Sequence, residues 1–172
     1  KAPDGLTYRQ MLMKEVNLPQ ERIHFVGTVS YSDLIKLFQV SAAHLYLTYP
    51  FVLSWSMMEA MACGVAMVAS RTKPVLEVIE DGVNGLLADI FSAEDVAAKL
   101  SQMLDAKDRN AAMREGARKT IVDRFALDTL LPLHMQLVRD VAAGMIPPPV
   151  AEKIRAVSPI EPYAQAMWQS ER

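Results

Sequence analysis

The chain is 172 residues long, 51% hydrophobic and 22% charged, a balance that suits one folded domain with a real core and excludes a disordered polymer. A net charge of -2 and a pI of 5.9 give no broad positive field, which argues against a nucleic-acid partner and confines any anion site to a local arrangement. Cys63 is the single cysteine, so an internal disulfide and a stapled secreted scaffold are excluded and a cytoplasmic setting is expected.

The chain opens with Lys1-Ala2-Pro3-Asp4-Gly5 and reads as a piece of something longer. Helical apolar spacing runs from Leu6 to Val16 and ends at Leu18-Pro19. Ile23 to Val29, β-branched and aromatic, predicts a strand. Ser30 or Ser32 can then cap a helix bearing Leu34, Ile35, Leu37, Phe38 and Val40 on one stripe, after which His44 to Tyr49 predicts another strand. Pro50 closes it, and Ser54 or Ser56 can start a helix through Ala62 that stops at Gly64. Val65 to Ala69 predicts a third strand, Val75 to Glu80 a helix, and Gly85 to Ala88 a fourth strand behind the turn dipeptides Asp81-Gly82 and Asn84-Gly85. Ser92 and Asp95 fit a capping box for a helix through Leu104, with further helices over Asp108 to Asp123 and Leu127 to Ala143.

Strands alternating with helices predict an α/β domain: a Rossmann-like parallel sheet with helices on both faces, occupying residues 1-143. Residues 144-172 read as a linker stiffened by Pro147-Pro148-Pro149 and a tail, with a short helix over Pro162 to Gln169. The apolar run Phe51 to Ala69 is interrupted by Ser54, Ser56, Glu59 and Gly64, so it reads as a buried helix leading into a buried strand and not as a membrane span.

Ligands of open parallel sheets bind beyond the carboxyl ends of the strands. The turn after Tyr49 is the most informative, because it leads into a helix start whose free N-H groups and positive dipole end favour a phosphate. Ser54 and Ser56 can add hydroxyl donors there, although on this segment alone they read first as caps. Glu59 lies among Met57, Met58, Ala60, Met61 and Ala62, where an unpaired buried carboxylate would be costly. Two partners fit it equally: an ion pair with Arg71, or the two hydroxyls of a ribose, which an acceptor-only carboxylate suits. Trp55 can stack on a base or sugar or pack in the core. His24, His44 and His134 lack the spacing that gathers ligands, so no metal is expected, and Cys63 reads as a packed residue with no basic group near it in sequence.

The runs Glu59-Ala60-Met61-Ala62-Cys63-Gly64-Val65-Ala66-Met67-Val68-Ala69-Ser70 and Glu77-Val78-Ile79-Glu80-Asp81-Gly82-Val83-Asn84-Gly85-Leu86-Leu87, with Ile23-His24-Phe25-Val26-Gly27 upstream, resemble the donor-site signature of the retaining family 4 glycosyltransferases. The likeness extends from Leu12 to Phe125. It implies the C-terminal, donor-binding half of a GT-B fold that begins at its third strand. It also implies transfer of a sugar from a nucleotide-diphosphate sugar to a saccharide or lipid-linked acceptor, as in cell-surface polysaccharide biosynthesis, with the missing N-terminal domain holding the acceptor. No cofactor is implied, and the full-length enzyme would be cytoplasmic or peripheral at the inner face of the membrane. The chain alone would be inactive.

By this resemblance Glu59 matches the second glutamate of a paired motif and holds the ribose, while the place of the first, eight positions earlier, is taken by Phe51. Val52, Leu53 and Ser54 stand where that family has small residues, and Thr72-Lys73 replaces its glycine pair. Ser30 and Tyr31 follow the first visible strand, where the family contacts the nucleobase. The donor-binding set implied is Ser30, Tyr31, Phe51, Leu53, Ser54, Trp55, Ser56 and Glu59, with no side chain assigned as chemical catalyst. The substitution at Phe51 leaves two alternatives in view, a non-catalytic nucleotide-binding or assembly module and a nucleotide-sugar epimerase of the same architecture. Unpaired strand edges also lead us to expect a homodimer or strand exchange, which light scattering would reveal.

Overall fold

A computed structural model describes residues 5-16, 19-48 and 52-145. Residue contacts divide the chain into Lys1-Val122 and Asp123-Arg172. The predicted linker and tail lie, except for Gly144 and Met145, outside the described residues, as do Tyr49, Pro50 and Phe51.

The first unit opens with α1 (Tyr8-Glu15), started by a reciprocal capping box between Thr7 and Gln10. A short 3-10 turn at Gln20-Arg22 follows. The strand expected at Ile23 to Val29 is not formed. Its β-branched and aromatic composition is suitable, but among the described residues no strand lies beside it to complete a ladder, and Phe25 and Val26 stay exposed. The Phe25 ring is covered instead by the Arg9 guanidinium, 4.0 Å from its centroid.

Helix α2 (Tyr31-Val40) is capped by Ser30, not Ser32, because the Ser30 hydroxyl is the one that accepts the Asp33 N-H. Strand β1 (His44-Tyr46), helix α3 (Trp55-Ala62), strand β2 (Met67-Ser70), helix α4 (Lys73-Leu76) and strand β3 (Leu86-Ala88) then alternate. The strands form a parallel sheet in the order β1-β2-β3, with His44 opposite Met67 and Val68 opposite Leu86. Helix α4 starts and ends earlier than the predicted Val75 to Glu80, since Pro74 is favourable only in a first turn.

Period-two alternation sends Ala66, Val68, Leu86 and Ala88 to one face, where they pack with Met103, Val96 and Leu100 of α5 (Ala93-Asp105). Every residue of β2 is buried, so the strand is covered on both faces, as expected for an all-parallel sheet. Ser92 caps α5 by accepting the Asp95 N-H, but the predicted box is one-sided: the Asp95 carboxylate turns to the Asp89 N-H at 2.7 Å. Helix α6 (Lys107-Phe125) runs across the boundary of the two units, and α7 (Leu127-Ala142) belongs to the second. Among the described residues no helix is long and apolar enough to cross a membrane.

His44, half-buried on β1, sets its ring edge-on to Phe38 with centroids 5.2 Å apart. Burial pushes its pKa below the ordinary 6.5. The unfolded chain therefore takes up a proton first as pH falls through 6.5, and the stability present above that value is lost below it. The expected result is a lower thermal midpoint at a pH of about 5.5 than at about 7.5, with a smaller difference in His44→Gln.

Candidate functional site

The turn from β1 into α3 lies at the carboxyl end of the sheet, and side chains hold it at both ends. Ser70, fully buried at the end of β2, donates its hydroxyl to the Thr48 carbonyl and accepts the Thr48 N-H, each at 3.0 Å. Tyr46, the last residue of β1, accepts the Ser54 N-H on its phenolic oxygen at 3.1 Å. Ser54 is the N-cap of α3: its hydroxyl accepts the Ser56 N-H and shares a hydrogen with the Ser56 hydroxyl at 3.0 Å. Trp55 and Met57 therefore carry first-turn N-H groups with no partner inside the helix, at its positive end.

The far end of α3 is closed as its sequence predicts. Gly64 takes φ 70, Gly64 N-H bonds to Met61 and Val65 N-H to Ala60, which together make a Schellman motif. Two arginines of α6 add to it: Arg114 Nε donates to the Gly64 carbonyl at 2.6 Å, and Arg118 donates to the Ala62 carbonyl. These cations sit at the negative end of the α3 dipole and fix the helix. Sequence spacing gave no signal for them, because the bonds span 50 and 56 residues. Arg118 also corrects the expectation that Cys63 has no basic neighbour. Burial nevertheless pushes the Cys63 thiol up, with the Arg118 charge acting against it, so the thiol keeps its proton.

Glu59 occupies the second turn of α3 and is half-buried, between Met57, Ala60 and Met61, which are fully buried. The ion pair with Arg71 is not made: Arg71 joins Asp81 at 2.5 Å and reaches toward the Leu87 carbonyl. Asp81 is tied into its turn by the Leu87 N-H at 2.9 Å. Burial works to raise its pKa, but the Leu87 hydrogen bond and Arg71 outweigh it and hold the carboxyl below the usual range. Among the described residues no salt bridge of Glu59 is found. The Glu59 charge reaches the exposed Tyr31 hydroxyl and pushes it above the ordinary tyrosine value.

The structure thus brings Tyr31, from the first turn of α2, to Glu59 on α3. Tyr31 is 64% exposed and Trp55 82% exposed, so neither ring is spent in the core, whereas Leu53, Ser54 and Ser56 are half-buried along the turn. Ser30 stands one residue before Tyr31, but its hydroxyl is engaged as a cap and donates to Asp33 at 2.7 Å. Phe51 lies outside the described residues.

A cleft of about 540 Å³ opens elsewhere, lined by Val83, Leu86, Gln102, Asn110, Met113 and small neighbours. Among the described residues, none of the predicted donor set and no charged side chain lines it. Among the described residues no group of three or more His, Cys, Asp or Glu could hold a metal.

A parallel sheet with a helix start and a carboxylate beyond its strand ends defines an open α/β domain of the Rossmann-like kind. Residues 7-120 match the family model described as glycosyl transferases group 1, and the chain belongs to that family. It is similar to N-acetyl-alpha-D-glucosaminyl L-malate synthase of Bacillus anthracis, with 27% identity over 139 residues, 81% of this chain and 35% of the relative. Sucrose-phosphate synthase from Thermosynechococcus elongatus superposes with a TM-score of 0.71 at 24% identity, over 79% of this chain and 34% of that one. Anabaena HepE in complex with UDP-glucose superposes with a TM-score of 0.64 at 21% identity, over 78% and 35%. At these identities the structural likeness is one of fold, and the fold is that of GT-B glycosyltransferases. The chain spans about a third of the length of each of these proteins.

Proposed function

We propose that this chain is the nucleotide-sugar-binding, C-terminal domain of a retaining glycosyltransferase of the family 4 type. The full-length protein would transfer a sugar from a nucleotide-diphosphate donor to a saccharide or lipid-linked acceptor, as in cell-surface polysaccharide biosynthesis. The observation that carries this reading is Glu59: a half-buried carboxylate on the helix that starts beyond β1, with the nearest sequence cation, Arg71, committed to Asp81. Such a carboxylate accepts from both ribose hydroxyls, while the Trp55 and Met57 N-H groups, unpaired within α3, face the diphosphate. Tyr31 beside Glu59 and the exposed ring of Trp55 offer flat surfaces to the base or the sugar. Ser30, Ser54 and Ser56 line the approach, Leu53 shapes it, and Phe51 stands where the family has an acceptor for a donor-sugar hydroxyl. Membership in the glycosyl transferases group 1 family and the fold shared with a protein solved with UDP-glucose support the assignment.

In this reading the protein contributes electrostatic stabilisation of the departing diphosphate and alignment of the anomeric carbon, with no side-chain nucleophile and no metal. Calorimetric titration of the full-length protein with UDP, GDP and ADP tests it. One of these is expected to bind the wild type, and Glu59→Ala should weaken that binding at least tenfold, roughly the effect of deleting a charged acceptor with two hydroxyl donors. Equal affinity in the two proteins, or no binding to the wild type, contradicts the reading.

A further inference from the structure

Tyr46 is 8% exposed, and an aromatic ring at that position could pack as phenylalanine. Its hydroxyl has to offset the cost of leaving water, and among the described residues it is bonded to one group, the backbone N-H of Ser54, at 3.1 Å. That group belongs to the N-cap of α3, the residue from which the helix direction is set. The other end of the same turn is fixed by Ser70, whose hydroxyl holds both backbone groups of Thr48 at 3.0 Å. Both anchors stand on the sheet, one on β1 and one on β2, and both are buried. The start of α3 is therefore referred to the sheet by a phenol with few torsions.

From this geometry we infer that Tyr46 is a positioning residue that holds the first-turn N-H groups of α3 where the diphosphate of the donor is received. The inference rests on the donor-site reading above and assigns Tyr46 no contact with the nucleotide. Donors aimed at an anion are effective only when held in place before it arrives, so loss of the anchor is felt at the phosphates and not at the ribose, which Glu59 grips from the next turn.

The test uses the full-length protein, the best-binding diphosphate among UDP, GDP and ADP, and the nucleoside of the same base. In Tyr46→Phe the diphosphate should bind about tenfold more weakly while the nucleoside binds as before, since only the former reports on the helix start. Glu59→Ala, by contrast, should weaken both, because both carry the ribose. Amide hydrogen exchange provides a second measurement: Tyr46→Phe should speed exchange at Ser54 and leave Val68 in β2 unchanged. Unchanged diphosphate affinity, an equal loss for diphosphate and nucleoside, or faster exchange at both amides would overturn the inference. Where Glu59→Ala weakens binding and Tyr46→Phe does not, only the role of Tyr46 fails. A wild type that binds no diphosphate removes the donor site and this inference together.

Discussion

Asn84→Asp is expected to destabilise the domain by about 3 kcal/mol, more than a hundredfold in the folding equilibrium. Asn84 is only 5% exposed and uses both ends of its amide. Its oxygen accepts the Glu80 N-H at 2.8 Å, and its nitrogen donates to the Val78 carbonyl and the Thr120 hydroxyl, both at 3.0 Å. The Thr120 proton is committed to the Gly116 carbonyl at 2.9 Å, so the hydroxyl can only accept from residue 84. An aspartate would set a carboxylate oxygen against two acceptors in a buried place, losing two donors and adding a charge. Urea denaturation at neutral pH measures it as a lower midpoint with an unchanged slope. A loss below about 1 kcal/mol would show that the amide does not join the β3 turn to α6.

The second large effect is steric. A Cβ on Gly85 would stand 3.0 Å from the Ile79 Cγ2 methyl and 3.4 Å from both the Cβ and the carbonyl oxygen of Met67. Ile79 and Met67 are buried, and two of the three neighbours are backbone or Cβ atoms that side-chain rotation cannot move. Gly85→Ala should therefore cost about 2 kcal/mol, and Gly85→Val about 3 kcal/mol or more, through overpacking beside β3. Thermal unfolding of the two variants checks this, with the midpoint falling in the order wild type, Ala, Val. A stable valine variant would mean that the turn into β3 can shift away from β2.

The two residues form one turn dipeptide, legible as a turn in the sequence, whereas their bonding is not. Asn84-Gly85 announces a reversal through local chemistry, but nothing local shows that the amide reaches Thr120, 36 residues away. The same division holds through the fold. Helix α3 was readable almost to the residue because its determinants lie inside it: Ser54 caps one end and Gly64 closes the other. The alternation of β1, α3, β2 and β3 followed from period changes over short windows. Ile23 to Val29 has strand composition without forming a strand, because strand propensity records how a residue fits a sheet and not whether a neighbouring strand is present.

The candidate site shows the same limits. Glu59 stood out because a carboxylate among methionines needs an explanation, and that signal is local. Spacing does not decide the partner of Arg71, which stands a comparable distance along the chain from Glu59 and Asp81 and folds toward Asp81. Tyr31 follows an expected strand that does not form, yet α2 still carries it toward Glu59, because the helix and its Ser30 cap form independently of that strand. Arg114 and Arg118 give no local signal, because the carbonyls at the end of α3 that they reach lie 50 and 56 residues away.

A crystal structure of the full-length protein with its bound nucleoside diphosphate tests the donor site most directly. Both ribose hydroxyls should lie within about 3 Å of the Glu59 carboxylate, with the phosphates before the first turn of α3. A nucleotide seated with its ribose away from Glu59, or with Glu59 turned to a protein cation, would contradict it.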